Sequence, residues 1–161
     1  MKTRVRIAAG LKLLLGVAAL LSPLAAISGC RKGPPPTPQV VINGRSWYVD
    51  LARTPQEQYT GLSGRGRLES GAGMLFIFDQ PRELTFCMRG CDVPIDIAFI
   101  SADLRVVSVR TMAVEPDRAG RVPYPSGQPA QYALEVAAGE LSAAGVKPGD
   151  PVRLVGAGSP N

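Results

Sequence analysis

Two acidic residues in this sequence lie within apolar segments, where burial of a charged carboxylate would cost free energy. Asp96 and Glu135 each sit between two aliphatic residues, so both are predicted to lie in buried strands. A buried carboxylate without a partner is energetically expensive. We expect Arg65 to pair with Asp96, with Tyr124 as an additional hydrogen-bond donor. This pair would either lock a glycine-rich loop onto a sheet or form the polar floor of a small pocket.

These carboxylates also suggest an enzyme. If Asp96 and Glu135 converged in an open cleft, they could form a carboxylate pair resembling that of glycoside hydrolases. The chain has no histidine, which removes Ser-His-Asp and Cys-His catalysis and the commonest zinc ligand. We therefore favour a non-catalytic module, without metal or cofactor, that binds a small ligand or an envelope partner. A hydrolase that uses both carboxylates is the alternative.

A third hypothesis concerns two thiols. Cys87 and Cys91 are four residues apart, with Met88 between them. In an oxidising compartment an even number of thiols favours a disulfide, and Gly90 would allow the tight turn that a bridge requires. Thiolate and thioether ligands would instead select Cu(I), although a regular strand sends Met88 to the face opposite Cys87. A thiol-redox module is a further alternative, although its usual spacing is Cys-x-x-Cys.

Residues 1–29 are predicted to be a lipoprotein signal peptide. Three basic residues precede an apolar segment at 7–27, and two small residues lead to Cys30. This ending resembles a bacterial lipobox, in which the cysteine is lipidated. An uncleaved membrane helix is the alternative, since about 20 apolar residues can span a bilayer. Lys12 and Pro23 within the apolar segment argue against a membrane helix.

The residues after Cys30 predict where the protein lies. Arg31 follows the cysteine, which by the lipoprotein resemblance favours the outer membrane, facing the periplasm. Residues 30–39 form a proline-rich, semi-rigid tether. We expect a single folded domain at 40–156, large enough for one core, and a disordered tail at 157–161.

The charge distribution argues against a nucleic-acid partner. The formal net charge is +5, but four of the 18 basic residues and none of the 13 acidic residues precede Cys30. From Cys30 onward, 14 basic residues nearly balance 13 acidic ones, without a basic stripe or interleaved aromatic residues. We expect a monomer that contacts the membrane through lipidated Cys30.

Short apolar runs separated by turn residues predict a mainly β fold. Asn43-Gly44 predicts a two-residue hairpin turn, because both residues tolerate positive φ. The pattern is typical of an antiparallel β-sandwich or barrel with one or two short helices. The strands predicted after the hairpin span residues 74–78, 84–88, 95–100, 104–110, 131–137 and 152–155.

Two short helices and one long loop complete the predicted domain. Thr54 and Glu57 fit a capping box at a helix start, and Gly61 is predicted to end that helix. Residues 140–144 predict a single helical turn. Residues 111–129 predict a long loop that would serve as a binding element or lid.

The ordered motifs of residues 49–155 resemble the family known as domain of unknown function 192. The resemblance implies a compact jelly-roll-type β-sandwich, and no activity is established for that family. The chain departs from the family pattern at Ser63, where methionine is usual, and at 87–91, where the family usually has Trp-Met-Lys-Asn-Thr. The matching residues are Gly61-Leu62, Arg65, Gly73-Met74-Leu75-Phe76, Phe78, Phe86, Met88, Pro94, Asp96, Phe99, Tyr124, Tyr132, Leu134-Glu135, Gly139, Gly145 and Gly149-Asp150.

Overall fold

The computed structural model describes residues 37–158. The predicted signal peptide, Cys30, most of the predicted tether and the last three residues lie outside the described residues. Between residues 37 and 158, no helix is long and apolar enough to cross a bilayer.

The described chain is mainly β, as the sequence predicts. It contains two short helices, α1 (Pro55–Thr60) and α2 (Glu140–Ala143). Its strands are β1 (Gln39–Ile42), β2 (Arg45–Ala52), β3 (Ala72–Phe86), β4 (Ile95–Ile100), β5 (Val106–Met112), β6 (Tyr124–Ala137) and β7 (Val152–Val155).

These strands form one mixed sheet in the order β5-β4-β6-β3-β2-β1-β7. The predicted antiparallel jelly-roll sandwich is not confirmed, because all seven strands share this sheet and β2 runs parallel to β3. The helix α1 explains the difference. It lies between β2 and β3, and a crossover of this kind is what two parallel neighbouring strands require.

The sheet curls until its two edges touch. Next to β5 and β7, Arg105 and Pro151 form an isolated antiparallel bridge. The Val152 amide donates to the carbonyl of Leu104 over 2.8 Å, and the Val106 amide donates to the carbonyl of Asp150 over 3.0 Å. These bonds pair backbone groups that an open edge would leave to solvent or to another chain.

Both faces of the sheet are buried. Side chains alternate between faces along a strand, and in β4 the residues Ala98 and Ile100 join one apolar cluster while Ile97 and Phe99 join the other. All six residues of β4 are buried for this reason. The first cluster contains Trp47 and also packs against α2 through Leu141.

The strand β3 differs from the prediction. The runs at 74–78 and 84–88 are not separate neighbouring strands, because β3 continues through Pro81 and pairs with β6 on both sides of it. An irregular register between Ile77 and Arg82 accommodates the proline, which cannot donate a ladder hydrogen bond. Since β3 ends at Phe86, Met88 lies beyond the strand.

The predicted loop at 111–129 is also shorter than expected. The strand β5 reaches Met112 and β6 begins at Tyr124, so only residues 113–123 connect them. The start of β6 is extended because Tyr124 and Pro125 pair with Phe86 and Thr85 of β3.

The local predictions near the amino-terminal end of the domain are confirmed. Asn43 and Gly44 have φ values of 50° and 78°, as the hairpin turn requires. Thr54 and Glu57 form the capping box at the start of α1, and the Gly61 amide donates to the carbonyl of Glu57 at its end.

Asp96 anchors α2 to the sheet. Its side chain is only 1% exposed, and its Oδ1 accepts a hydrogen bond from Thr111 Oγ1 over 2.7 Å. Its Oδ2 accepts from the backbone amides of Gly139 at 2.8 Å and Leu141 at 3.2 Å. Amide donors at the start of a helix compensate a buried carboxylate without a cation.

The predicted pair of Asp96 and Arg65 is therefore wrong. Arg65 instead forms an ion pair with Asp50 over 2.6 Å at the protein surface. Tyr124 is not among the donors to Asp96 either, and its hydroxyl accepts a hydrogen bond from the Ala113 amide over 3.3 Å.

We predict that Asp96→Ala lowers the free energy of unfolding by about 3 kcal/mol, because it removes the acceptor of three hydrogen bonds, one of them from the buried amide of Leu141. Chemical denaturation of the full chain measures this change. The control is Asp79→Ala, an exposed site in β3 that we expect to change stability by less than about 0.5 kcal/mol. Equal effects of the two substitutions would contradict the role of Asp96.

Candidate functional site

One cleft in the described chain combines aromatic walls with a buried acid. It has a volume of about 350 Å³ and lies between α1, the segment after α1, β3, and the segment after β3. Phe76, Phe78 and Phe86 supply its aromatic surface, and Glu135 of β6 also lines it.

The aromatic rings of the cleft pack against one another. Phe86 meets Phe76 edge to face, with ring centroids 4.9 Å apart, and meets Phe78 in the same way at 6.5 Å. It also packs against Phe99 of β4 at 5.6 Å. Edge-to-face pairs of this kind add to the energy of area burial, so the walls are a preformed part of the second core cluster.

Glu135 is the buried ionisable group of the cleft. It lies in the middle of β6, opposite Met74 of β3 and Ile97 of β4, and is only 4% exposed. Burial raises the pKa of its carboxyl to about 8. The group is therefore mostly protonated at neutral pH.

The Glu135 carboxyl makes no hydrogen bond or ion pair with any residue between 37 and 158. Fully enclosed polar side-chain atoms in this part of the chain all have partners. Since the Glu135 carboxyl has no partner among these residues, its oxygens are not fully enclosed. They are accessible from the cleft that Glu135 lines.

A cation at the rim does not neutralise this acid. The Arg89 guanidinium lies 3.7 Å from the centroid of the Tyr59 ring and donates a hydrogen bond to the Tyr59 carbonyl. Burial is the cause of the raised Glu135 pKa, and no neighbouring charge offsets it. Arg89 instead ties the segment after β3 to α1.

Loops on both sides hold that segment in place. The Gly64 amide donates to the carbonyl of Gly90 over 2.8 Å, and the Gly90 amide donates to the carbonyl of Arg118 over 2.9 Å. A methyl group on Gly120 would come within 2.6 Å of Arg89 Cβ, so only glycine allows this approach. The rim of the cleft therefore depends on the 113–123 connection, which does not itself line the cleft.

The predicted disulfide is not found. Cys87 and Cys91 both line the cleft as free thiols. The Cys91 thiol donates toward the carbonyl of Arg89 within its own turn, at 3.7 Å. Burial, reinforced by the nearby Glu135 carboxyl, raises the pKa of Cys91 to about 11. A thiol with so high a pKa is a poor nucleophile and a poor metal ligand at neutral pH.

The remaining predicted site residues lie elsewhere. Met88 is fully buried in the core, and Arg65, Tyr124 and Asp96 do not line the cleft. No three His, Cys, Asp or Glu side chains within residues 37–158 are grouped to hold a metal ion. The structure thus brings together Glu135, Cys87 and Cys91 from the predicted set.

Asp96 and Glu135 cannot act as a pair. Asp96 lies opposite Val136 in the β4–β6 ladder, and Glu135 lies opposite Ile97. Neighbours in register share a face, so these acids are on opposite faces of the sheet. Asp96 faces α2, whereas Glu135 faces the cleft. The hydrolase hypothesis that requires both acids therefore lacks the necessary geometry.

Two parts of the site, Tyr59 and Arg89, are not indicated by any of the sequence motifs. Tyr59 is one of the exposed large side chains, at 64% relative exposure, and it lies in α1, a helix with no buried residue. The available sequence signal is that Tyr59 is the only aromatic residue of the short helix predicted between Thr54 and Gly61.

The sequence profile of the family described as "Uncharacterized ACR" (DUF192) matches residues 39–154. The chain belongs to this family. No curated protein matches its sequence.

Two solved structures resemble this member of the DUF192 family. A protein of unknown function from Novosphingobium aromaticivorans DSM 12444 has 34% sequence identity and a TM-score of 0.64, with 71% of this chain and 83% of that chain covered. A protein from Sinorhizobium meliloti 1021, described as a "putative transcription regulator", has 29% identity and a TM-score of 0.65, with 74% and 92% covered. Both similarities support the fold.

We predict that the free energy of unfolding falls between pH 5 and pH 8. The folded state keeps the Glu135 proton up to a pKa of about 8, whereas the unfolded state loses it near the ordinary value of 4.5. The unfolded state therefore binds fewer protons in this window, and stability declines by roughly 3–5 kcal/mol as pH rises. No histidine adds a titration in the same window.

Denaturant unfolding of the full chain at several pH values measures this decline. Glu135→Gln should remove most of the decline in stability, because the glutamine amide does not titrate between pH 5 and pH 8. Glu83→Gln, the same change at an exposed position of β3, should leave it in place. A wild-type stability that is flat or rising from pH 5 to pH 8 would contradict the buried, unpaired state of Glu135.

Proposed function

We propose that the protein is a lipid-anchored envelope protein whose domain binds a small ligand in the cleft over Glu135, without catalysis. The observation that carries the ligand proposal is the buried Glu135 carboxyl, which has no partner in the described chain and opens into an aromatic cavity.

The energetics favour a ligand as the missing partner. A buried polar group without a hydrogen bond costs stability, and a hydrophobic residue at the same position would avoid that cost. A bound ligand with a complementary polar group would satisfy the carboxyl while its apolar part covered the phenylalanine rings. The cleft volume of about 350 Å³ falls at the lower end of the usual range for ligand pockets, roughly 300–1,000 Å³.

Several features support binding without catalysis. The buried carboxylate of Asp96 holds α2 and faces away from the cleft. The buried thiol of Cys91 is protonated at neutral pH, since its pKa is about 11. Glu135 alone can donate a hydrogen bond when it is protonated, or accept hydrogen bonds and pair with a cation when it is ionised, which suits recognition.

The proposed location rests on the amino-terminal sequence. A basic start, an apolar segment and two small residues before Cys30 are the parts of a lipoprotein signal. The proline-rich residues 30–39 would then hold the domain away from the membrane surface.

We predict that Cys30→Ser abolishes lipid attachment. In a bacterial host fed labelled palmitate, the wild-type chain should carry the label in the membrane fraction, and the variant should carry none. Cys87→Ser is the control, because it also removes one thiol but lies in the folded domain. Equal labelling of the wild type and Cys30→Ser would contradict the anchor and leave the cleft proposal unaffected.

We also predict that small molecules bind in the cleft and protect Cys87 from alkylation. Cys87 is partly exposed and lines the cleft, so an occupant should block access to its thiol. The experiment screens fragments against the full chain in an uncharged detergent by ligand-observed NMR. Binders are then tested for slower alkylation of Cys87 by iodoacetamide, followed by peptide mass spectrometry.

Glu135→Gln should weaken the fragments with polar groups by about tenfold or more, which corresponds to about 1.4 kcal/mol. Glu83→Gln should not weaken them. A screen without binders, or binders that leave the alkylation rate of Cys87 unchanged, would contradict a ligand site in this cleft.

A further inference from the structure

We propose that the ligand class of this cleft is a small organic cation, such as an alkylammonium group, which pairs with the Glu135 carboxylate and packs against the phenylalanine rings. The inference rests on the proposed binding function and assigns the chemistry of its ligand.

Between residues 37 and 158, the surroundings of Glu135 supply no positive charge. Glu135 is only 4% exposed, lines the cavity and pairs through its carboxyl with no residue of the described chain. Its register partners, Met74 and Ile97, are apolar. A carboxylate in such a place is most stabilised by a positive charge that reaches it through the cavity.

The aromatic walls of the cleft also favour a cation. Phe76, Phe78 and Phe86 line it, and the edge-to-face contacts around Phe86 fix their orientation. The face of an aromatic ring carries partial negative charge and attracts ammonium groups, more strongly where water is excluded. Aromatic rings together with one carboxylate are therefore complementary to an organic cation, because its methyl or methylene groups also prefer an apolar surface.

The other titratable groups of the cleft do not provide that cation. The groups that line it besides Glu135 are Tyr59, Cys87, Arg89 and Cys91. Arg89 is held over the Tyr59 ring and by the Tyr59 carbonyl. Burial alone, without a charge contribution from Arg89, accounts for the raised pKa of Glu135.

Cation binding would also displace the proton of Glu135. The carboxyl holds its proton up to a pKa of about 8, and a permanent cation can pair only with the deprotonated form. The apparent affinity should therefore rise by about tenfold per pH unit between pH 6 and pH 8, and level off above the pKa. A neutral ligand that accepts a hydrogen bond from protonated Glu135 would show the opposite trend.

Three probes of similar shape test the assignment: tetramethylammonium, the neutral 2,2-dimethylpropan-1-ol and the anion pivalate. Each is titrated against the full chain in maltoside detergent from pH 6 to pH 9, and binding is followed by saturation-transfer NMR. Tetramethylammonium has no titratable proton, so a pH trend belongs to the protein.

The expected result at pH 8.5 is that the cation binds at least about tenfold tighter than the alcohol and that pivalate binds weakest. Glu135→Gln should remove both this preference and the pH trend, whereas Glu83→Gln should keep both. Thermal melts at pH 5, where wild-type Glu135 is uncharged, establish that Glu135→Gln is folded.

Other results overturn the inference. If the alcohol or pivalate binds as tightly as the cation, or if the cation does not bind while fragments still protect Cys87, the ligand class is wrong and the binding function stands. If neither the three probes nor any fragment binds in the cleft, the proposed function fails as well.

Discussion

The alternation of side chains across β4 and β6 determines what each buried acid can do. Asp96 and Glu135 lie one register position apart at the centre of the same sheet, and the pleat sends them to opposite faces. On one face, Asp96 accepts hydrogen bonds from Thr111 and from two backbone amides at α2. On the other face, Glu135 has no such partner within the described residues and lies at an aromatic cleft. One acid therefore stabilises the fold, and the other remains available to a ligand.

The face that carries Asp96 is closed by a second acid as well. Glu140 of α2 accepts a hydrogen bond from Trp47 Nε1 over 2.5 Å and another from the Gly71 amide over 2.9 Å. The helix α2 is only one turn long, so these carboxylate contacts, together with the buried Leu141, hold it against the sheet. On the cleft face the cover comes instead from Leu62, Met88 and Cys91, in the segments after α1 and β3. There α1 lies beside the opening and buries none of its own residues, which leaves room for a small molecule.

The sequence predicts the parts of this fold that depend on neighbouring residues. The Asn43-Gly44 turn and the capping box at α1 follow from local backbone chemistry, and both are present. The continuation of β3 through Pro81 does not follow from local chemistry, because it depends on an irregular register with a distant strand. The partners of Asp96 do not follow from local sequence for a related reason. Side-chain composition favours a guanidinium, whereas the fold supplies backbone amides, which every residue except proline carries. Glu135 could be predicted as buried, but its cleft depends on three segments that meet only in the folded chain.

The central claim is that the Glu135 carboxyl is buried in this cleft without a charged partner. A titration of the glutamate side-chain carboxyl carbons by ¹³C NMR, on the full chain in detergent, tests it most directly, with Glu135→Gln to assign the resonance. We expect the Glu135 resonance to titrate with a midpoint near pH 8, because burial disfavours its charged form. A midpoint near the ordinary value of 4.5 would show that the carboxyl is solvated or paired with a cation, and would contradict both the site and the ligand proposed for it.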